Sequence, residues 1–276
     1  SVSTDTDTDA DADDGDNSTS GPACEAVVIL IVGTAMRVGQ YVDLAQAIVT
    51  GSSSTVVAIM DDNFHWIQKQ SGKRATNVAN AVVENLAEYV PVCSQAGVPR
   101  YYFGGHSAGG GGAMNAMKTQ KFDFDVAGFI GLSPFGMKKN ISLQIPTLLW
   151  DFSLMSCFVC PKTAAQQVYN DMKKNVPRFF YQLQTNNTVN FVLGGDHCSY
   201  TDSGCFGMCS GGKTGRSFMH ETVAKAINTF VGGATTVVEK YDNVKLYTGM
   251  EEVVVPPEKP EAWLVRPWVK ILCLFV

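Results

Sequence analysis

Residues 100–120 read RYYFGGHSAGGGGAMNAMKTQ, and the fold turns on how the chain passes through their middle. RYYFGG has the composition of a buried strand, and AGGGGAMNAMKTQ that of a helix. Between them, Gly105-His106-Ser107-Ala108-Gly109 fits the pattern G-x-S-x-G. A serine on so sharp a strand-to-helix turn sits in a strained backbone. The residues two before and two after it must be nearly free of side chain, as Gly105 and Gly109 are. The turn lifts the hydroxyl above the carboxyl edge of a sheet and sets a helix N-terminus beneath it, where partial positive charge favours a developing oxyanion. Ser107 is the candidate nucleophile. The competing reading of GHSAGGGG is a flexible glycine-rich loop.

Outward from this turn the same rhythm repeats. AVVILIVG (26–33) is a continuous β-branched run suited to a strand buried on both faces, and TVVAIM (55–60) is a second. VAGFIGL, PTLLW (146–150) and VNFVLGG (189–195) read as further strands. Helical spacing is predicted over 38–49, 77–90, 107–119, 163–174 and 216–231. Strand-helix alternation at these intervals predicts an α/β fold, a doubly wound and mostly parallel sheet flanked by helices.

The chain has 276 residues, of which 45% are hydrophobic and 17% charged. Such a composition supports a sizeable core and excludes wholesale disorder. No apolar run reaches the ~20 residues of a membrane span. Residues 1–16 hold seven of the acidic groups and no Lys or Arg, so a net charge of −5 conceals a body of net +2. That body offers no electrostatic footprint for nucleic acid. The sequence divides into an acidic, disordered tail (1–23), a catalytic domain (24–233) and a C-terminal extension (234–276) with a Pro-rich linker and an apolar end. Ala262–Val276 is too short to span a bilayer, and is expected to pack on its own domain or touch a lipid interface.

A serine hydroxyl is a weak nucleophile and needs an imidazole to take its proton. His197, in GGDHCSY, directly follows VNFVLGG on a loop that returns to the edge of Ser107. Its place suits the chain order nucleophile, acid, base. His106 adjoins Ser107 but is expected to leave the turn on the other side. His65 falls in a loop and His220 in the last helix, where exposure or packing is expected. The acid should hold the tautomer of the imidazole and stabilise its charged form. Asp151 follows PTLLW at the correct edge, whereas Asp196 adjoins the histidine and Asp123 and Asp125 lie at the opposite edge. The oxyanion needs two backbone N–H donors. Ala108 supplies one, and Thr34, in the loop Gly33–Met36, is first choice for the other. No step asks for a Lewis acid, so no metal and no cofactor is expected.

Eight cysteines, an even set, allow four bridges in an oxidising compartment, and sequons stand at Asn17, Asn140 and Asn186. A secreted or endomembrane-lumenal protein, its signal peptide absent or removed, is expected, with a cytosolic protein bearing scattered thiols as the competing reading. Cys157 and Cys160, with Cys198, Cys205 and Cys209, could form a zinc or redox site, but a structural role near the catalytic loops is favoured. Met36, Phe64, Trp66, Phe152, Met155 and Phe158 are candidates for an apolar substrate pocket, with ordinary packing as the competing reading.

VGTAMRVGQY, YYFGGHSAGG, GFIGLSPFG, IPTLLWD and GGDHCSYTD together resemble serine esterases and lipases of the α/β-hydrolase fold. The nearest branches are the dienelactone hydrolases, the cutinase-like polyester hydrolases and the chlorophyllase-like enzymes. The resemblance implies an eight-stranded sheet and hydrolysis of carboxylic esters through an acyl-enzyme. A small or lipid-like ester and a monomeric enzyme are expected. Chlorophyllases have Arg after the serine and Asp where Ser133 stands. Polyester hydrolases place the acid further on, where this chain reads SLMSC. A catalytically silent relative acting as a binding module is the alternative from another class.

Overall fold

In the computed structural model, the structure describes residues 24–33, 36–61, 71–95, 97–119, 121–134, 142–152, 164–183, 197–203, 213–233, 241 and 244–248. The chain alternates strand and helix. β1 (Ala26–Ile31) leads through a short 3-10 turn to α1 (Val42–Gly51) and β2 (Thr55–Met60). α2 (Gly72–Tyr89), α3 (Val92–Gln95), β3 (Arg100–His106), α4 (Ser107–Thr119) and β4 (Val126–Leu132) follow. β5 (Thr147–Phe152), α5 (Ala164–Asp171), β6 (Arg178–Leu183), α6 (Lys213–Val231) and β7 (Val244–Thr248) complete the series.

Among the described residues, seven strands form one sheet in the order β2-β1-β3-β4-β5-β6-β7. All neighbours are parallel except β6 and β7. Every residue of β1 is buried, because alternate side chains enter different cores. Ala26, Val28 and Leu30 join α1 and α6 through Leu44, Ile48, Val223 and Ile227. Val27, Ile29 and Ile31 join α2, α4 and α5 through Ala79, Met114 and Tyr169. A sheet covered on both faces needs such uninterrupted apolar strands. The fold is therefore of the α/β class, mostly parallel and flanked by helices.

β6 lies inside the sheet, yet RFFYQL carries no strand expectation in the sequence reading. The reason is Arg178, 2% exposed, which looks like a surface residue in sequence. Its guanidinium donates to the carbonyls of Tyr169 and Met172 at the end of α5 and lies over the Tyr169 ring. There it meets the carbonyls that a helix end leaves unpaired. The antiparallel edge strand β7 comes from the stretch set apart above as the C-terminal extension. VNFVLGG and the apolar end lie outside the described residues. A disulfide joins Cys24, just before β1, to Cys93 of α3, and Cys198 is also disulfide-bonded. Among the described residues, no helix is long and apolar enough to cross a membrane.

Candidate active site

The sheet order places the site. From β1 the chain passes to β2 on one side and then to β3 on the other. The carboxyl ends of these two strands are thus a topological switch point, the place where open α/β sheets carry their sites. Ser107 follows β3 at this point, as the first residue of α4. Its φ is +52°, a left-handed conformation that costs a non-glycine residue energy and is kept only where the surroundings enforce it. Gly105 and Gly109 show what enforces it. A Cβ on Gly105 would stand 2.6 Å from the Ile31 carbonyl oxygen, and one on Gly109 would meet the carbonyl oxygens of Val32 and Ile31. The turn is pressed against the end of β1, and only glycine allows that approach.

His197 meets the serine here, its Nε2 2.8 Å from Ser107 Oγ. The loop carrying it, residues 197–203, is tied at several points. Asp202 N–H donates to the Gln40 carbonyl at 2.8 Å. The Asp202 carboxylate accepts from the N–H groups of Val42 and Asp43, capping α1 as an N-terminal acceptor does.

His106 turns inward from the end of β3, 1% exposed, and reaches the backbone of the same loop. Its Nε2 is 2.8 Å from the His197 carbonyl oxygen, so Nε2 carries a proton and donates it. Nδ1 is 2.7 Å from the Tyr41 hydroxyl, which must then be the donor to Nδ1. The same hydroxyl accepts from Gly33 N–H at 3.0 Å and touches Met36 Sδ at 2.9 Å. Burial, chiefly, and the neighbouring His197 hold the His106 pKa well below the ordinary imidazole range. Burial raises the Tyr41 pKa. Both groups are neutral, as this donor and acceptor order requires. Tyr41 thus joins the end of β1 to the histidine loop through His106.

Asp151 ends β5 and is 5% exposed. Its Oδ1 accepts from Ser133 Oγ at 3.0 Å and from Phe152 N–H at 2.9 Å, and no hydrogen bond runs from its carboxyl to the His197 ring. Ser133 Oγ is also 3.1 Å from the hydroxyl of Tyr200, a residue of the histidine loop. Asp151 therefore reaches that loop through Ser133 and Tyr200. Burial lifts its pKa to about 7, against the two donors that lower it.

Ala108, the second residue of α4, is fully buried and holds one of the N–H groups that a helix leaves without an internal partner. Thr34 lies outside the described residues. Gly33, beside it, is close enough to Ser107 that an added Cβ would stand 3.2 Å from the serine Cβ. Gly33 thus stands against the Ser107 side chain. Met36 and Phe152 are buried in the core on one face of the sheet, Met36 against Tyr41 and Phe152 with its ring 5.8 Å from that of Tyr200. Phe64, Trp66, Met155 and Phe158 lie outside the described residues. The sequence reading passes over Tyr41 and sends His106 away from the site. The signal for His106 was its position: it ends β3, and in a strand covered on both faces its imidazole has no route to solvent.

A serine hydroxyl in hydrogen-bond reach of an imidazole, beside unpaired helix N–H groups, can be deprotonated as it attacks an electrophile. No protein-family model matches the chain, and no curated protein matches it.

Proposed function

We propose that the chain is a serine hydrolase of the α/β-hydrolase fold, cleaving carboxylic esters with Ser107 as nucleophile and His197 as general base. One observation carries this reading: Ser107, at positive φ between a buried strand and a helix, lies 2.8 Å from His197 Nε2. In this reading His197 takes the hydroxyl proton as Ser107 Oγ attacks the ester carbonyl carbon. The oxyanion forms against the N–H of Ala108 and that of Thr34 in the loop after β1. The intermediate then collapses, the C–O bond of the alcohol breaks, and His197 protonates the departing oxygen. Water, deprotonated by the same imidazole, attacks the acyl-serine and releases the acid. Asp151 enters as a buried carboxyl that braces the histidine loop through Ser133 and Tyr200, in place of the ring-orienting contact expected from sequence.

The near-neutral body of the chain favours an uncharged, apolar ester, small or lipid-like, of the kind taken by the dienelactone-hydrolase, polyester-hydrolase and chlorophyllase-like branches. The apolar C-terminal segment suits contact with a lipid interface. The Cys24–Cys93 bridge favours an oxidising, secreted or lumenal setting.

The test is labelling with a fluorophosphonate probe, alongside a panel of short-chain, triglyceride, polyester and chlorophyll-type esters. The wild-type chain should label and Ser107→Ala should not, with at least one ester turned over. A wild-type chain that neither labels nor hydrolyses any of them overturns the reading.

A further inference from the structure

The N-terminus of α1, the histidine loop and α6 meet at a second cluster, which the chemistry of Ser107 does not use. Asp43 of α1, Asp202 of the loop and His220 of α6 each bring one ligand atom to within 4.8 Å of the others. His220 is 5% exposed. Its ring is hydrogen-bonded to the backbone of Tyr200 in a way that favours the charged imidazole, which means a ring N–H donating to the carbonyl. Its Nε2 is buried with no hydrogen-bond partner. The donor is therefore Nδ1, and Nε2 carries a bare lone pair.

That lone pair has an acceptor near it. Asp202 Oδ1 is 4.0 Å from Nε2, beyond hydrogen-bond length. Asp202 Oδ2 takes the N–H groups of Val42 and Asp43, and Oδ1 takes Asp43 N–H again. A carboxylate oxygen has two lone-pair sites, so one site on Oδ1 is left over. Two acceptors kept near each other in a largely buried place call for a positive charge between them. A proton does not serve across this gap. At 4.0 Å the two atoms are too far apart to share one in a hydrogen bond. The Arg216 charge acts on both groups, yet one guanidinium offsets only one of the two carboxylates.

We propose that Asp43, Asp202 and His220 bind a divalent transition-metal ion, Zn²⁺ being the one that fits the donors. One imidazole nitrogen with two carboxylates suits zinc, whereas calcium and magnesium take all-oxygen sets. The Nδ1–H bond to a backbone carbonyl is the outer contact that fixes a ligating histidine in its working tautomer. Bonds of ~2.1 Å to each donor would hold them roughly 3.4 Å apart, so the His220–Asp202 pair closes by about half an ångström from 4.0 Å, and no pair closes by more than about 1.4 Å from the 4.8 Å limit. Exposed Asp43 has the freedom to do this, and water completes the coordination. The ion would pin the histidine loop to α1 and α6 through Asp202, five residues after His197. The site stands independently of the role given to Ser107.

The test is titration of the full, EDTA-treated chain with Co²⁺ as a visible probe, followed by Zn²⁺ and a melting curve. The expected result is one Co²⁺ per chain with visible ligand-field bands, no near-ultraviolet thiolate charge-transfer band, displacement by Zn²⁺, and a higher Tm with the metal. His220→Gln and Asp43→Asn should each weaken binding on the order of tenfold or more while melting like the wild type in EDTA. Asp43 is exposed, so its variant keeps the test sound if His220→Gln fails to fold. The absence of ligand-field bands, bands that survive both substitutions, or a thiolate band would each overturn the proposal.

Discussion

His106 Nε2 stands 2.8 Å from the carbonyl oxygen of His197, while the ring of His197 stands 2.8 Å from the hydroxyl of Ser107. Two adjacent residues of one turn therefore grip the same histidine, one by its backbone and the other by its imidazole. The distance between the Ser107 hydroxyl and the His197 imidazole is set by a covalent neighbour of Ser107. For the proposed reaction that is a form of preorganisation, since the turn that places Ser107 also places His197.

Ser107→Ala should abolish ester hydrolysis and probe labelling while leaving Tm close to that of the wild type, because it removes one oxygen and little volume. His197→Ala should lower kcat by a factor on the order of 10⁴ or more, as loss of the base does where nucleophile and base act as a unit. The double variant should be little worse than either single one. Steady-state kinetics on a soluble ester checks all three. Near-normal turnover by Ser107→Ala would sink the mechanism.

Tyr41→Phe removes one oxygen and leaves two groups without their partner, Gly33 N–H and His106 Nδ1. The expected cost is about 1–3 kcal/mol of stability, read from urea unfolding. The loss also frees the His106 ring, so kcat should fall by about ten- to a hundredfold, more than KM changes. His106→Ala should fall further in kcat, since it releases the His197 carbonyl outright. A Tyr41→Phe variant that loses stability but keeps full kcat would show that the network serves packing alone.

Gly105→Ala should unfold or disable the chain, because the new methyl group faces backbone that has nowhere to go: Ile31 O at 2.6 Å, and Gly109 C and Gly110 N at 2.9 Å. A loss of about 1–3 kcal/mol or more is expected. Gly39→Ala is the control. Its Cβ would meet nothing within 4 Å, and reduced freedom of the unfolded chain should leave it neutral or better by up to ~1 kcal/mol. Equal melting temperatures for the two variants would contradict the packing described here.

The strand-turn-helix passage through Ser107 was legible in the sequence because its constraints are local. A strand, two glycines, a serine and a helix must stand in that order for the geometry to exist at all. The helix 107–119 is found where its residues placed it, and β1, β2, β3 and β5 follow from uninterrupted apolar runs. β6 escaped because its burial depends on a partner distant in sequence logic: Arg178 belongs inside only once α5 has brought its last carbonyls there. The histidine network escaped for the same reason. Tyr41 lies 65 residues before His106, and no local pattern records that a helix start on one side of β1 will meet the end of β3. Asp151 shows the limit from the other direction. Its position at the strand end was read from the residues around it, but its hydrogen bonds are set by Ser133 and Tyr200, which belong to two other segments.

Asp151→Asn tests the role of that carboxyl through pH. In the folded chain its pKa is raised to about 7, chiefly by burial, against ~3.9 when unfolded. The folded state thus holds this proton more tightly than the unfolded state does. The contribution of the protonated group is fully present below about pH 4 and is lost progressively as pH rises to about 7, after which the loss is constant. Asn keeps an oxygen to accept from Ser133 and Phe152 but has no proton to lose. Relative to the wild type, Asp151→Asn should therefore gain stability between about pH 4 and pH 7, by a few kcal/mol at most, and hold that gain above it. His106 and His220, whose pKa values burial lowers, act in the opposite sense: their contribution falls away as pH drops below ~6.5. Both are present in the two chains, so the difference between variant and wild type isolates Asp151. Urea unfolding across this range supplies the measurement, and a difference that stays flat would refute the raised pKa. The kcat of the same variant should fall far less than that of His197→Ala, because the carboxyl braces the loop and does not touch the ring. A loss as large as that of His197→Ala would return Asp151 to the role of ring-orienting acid.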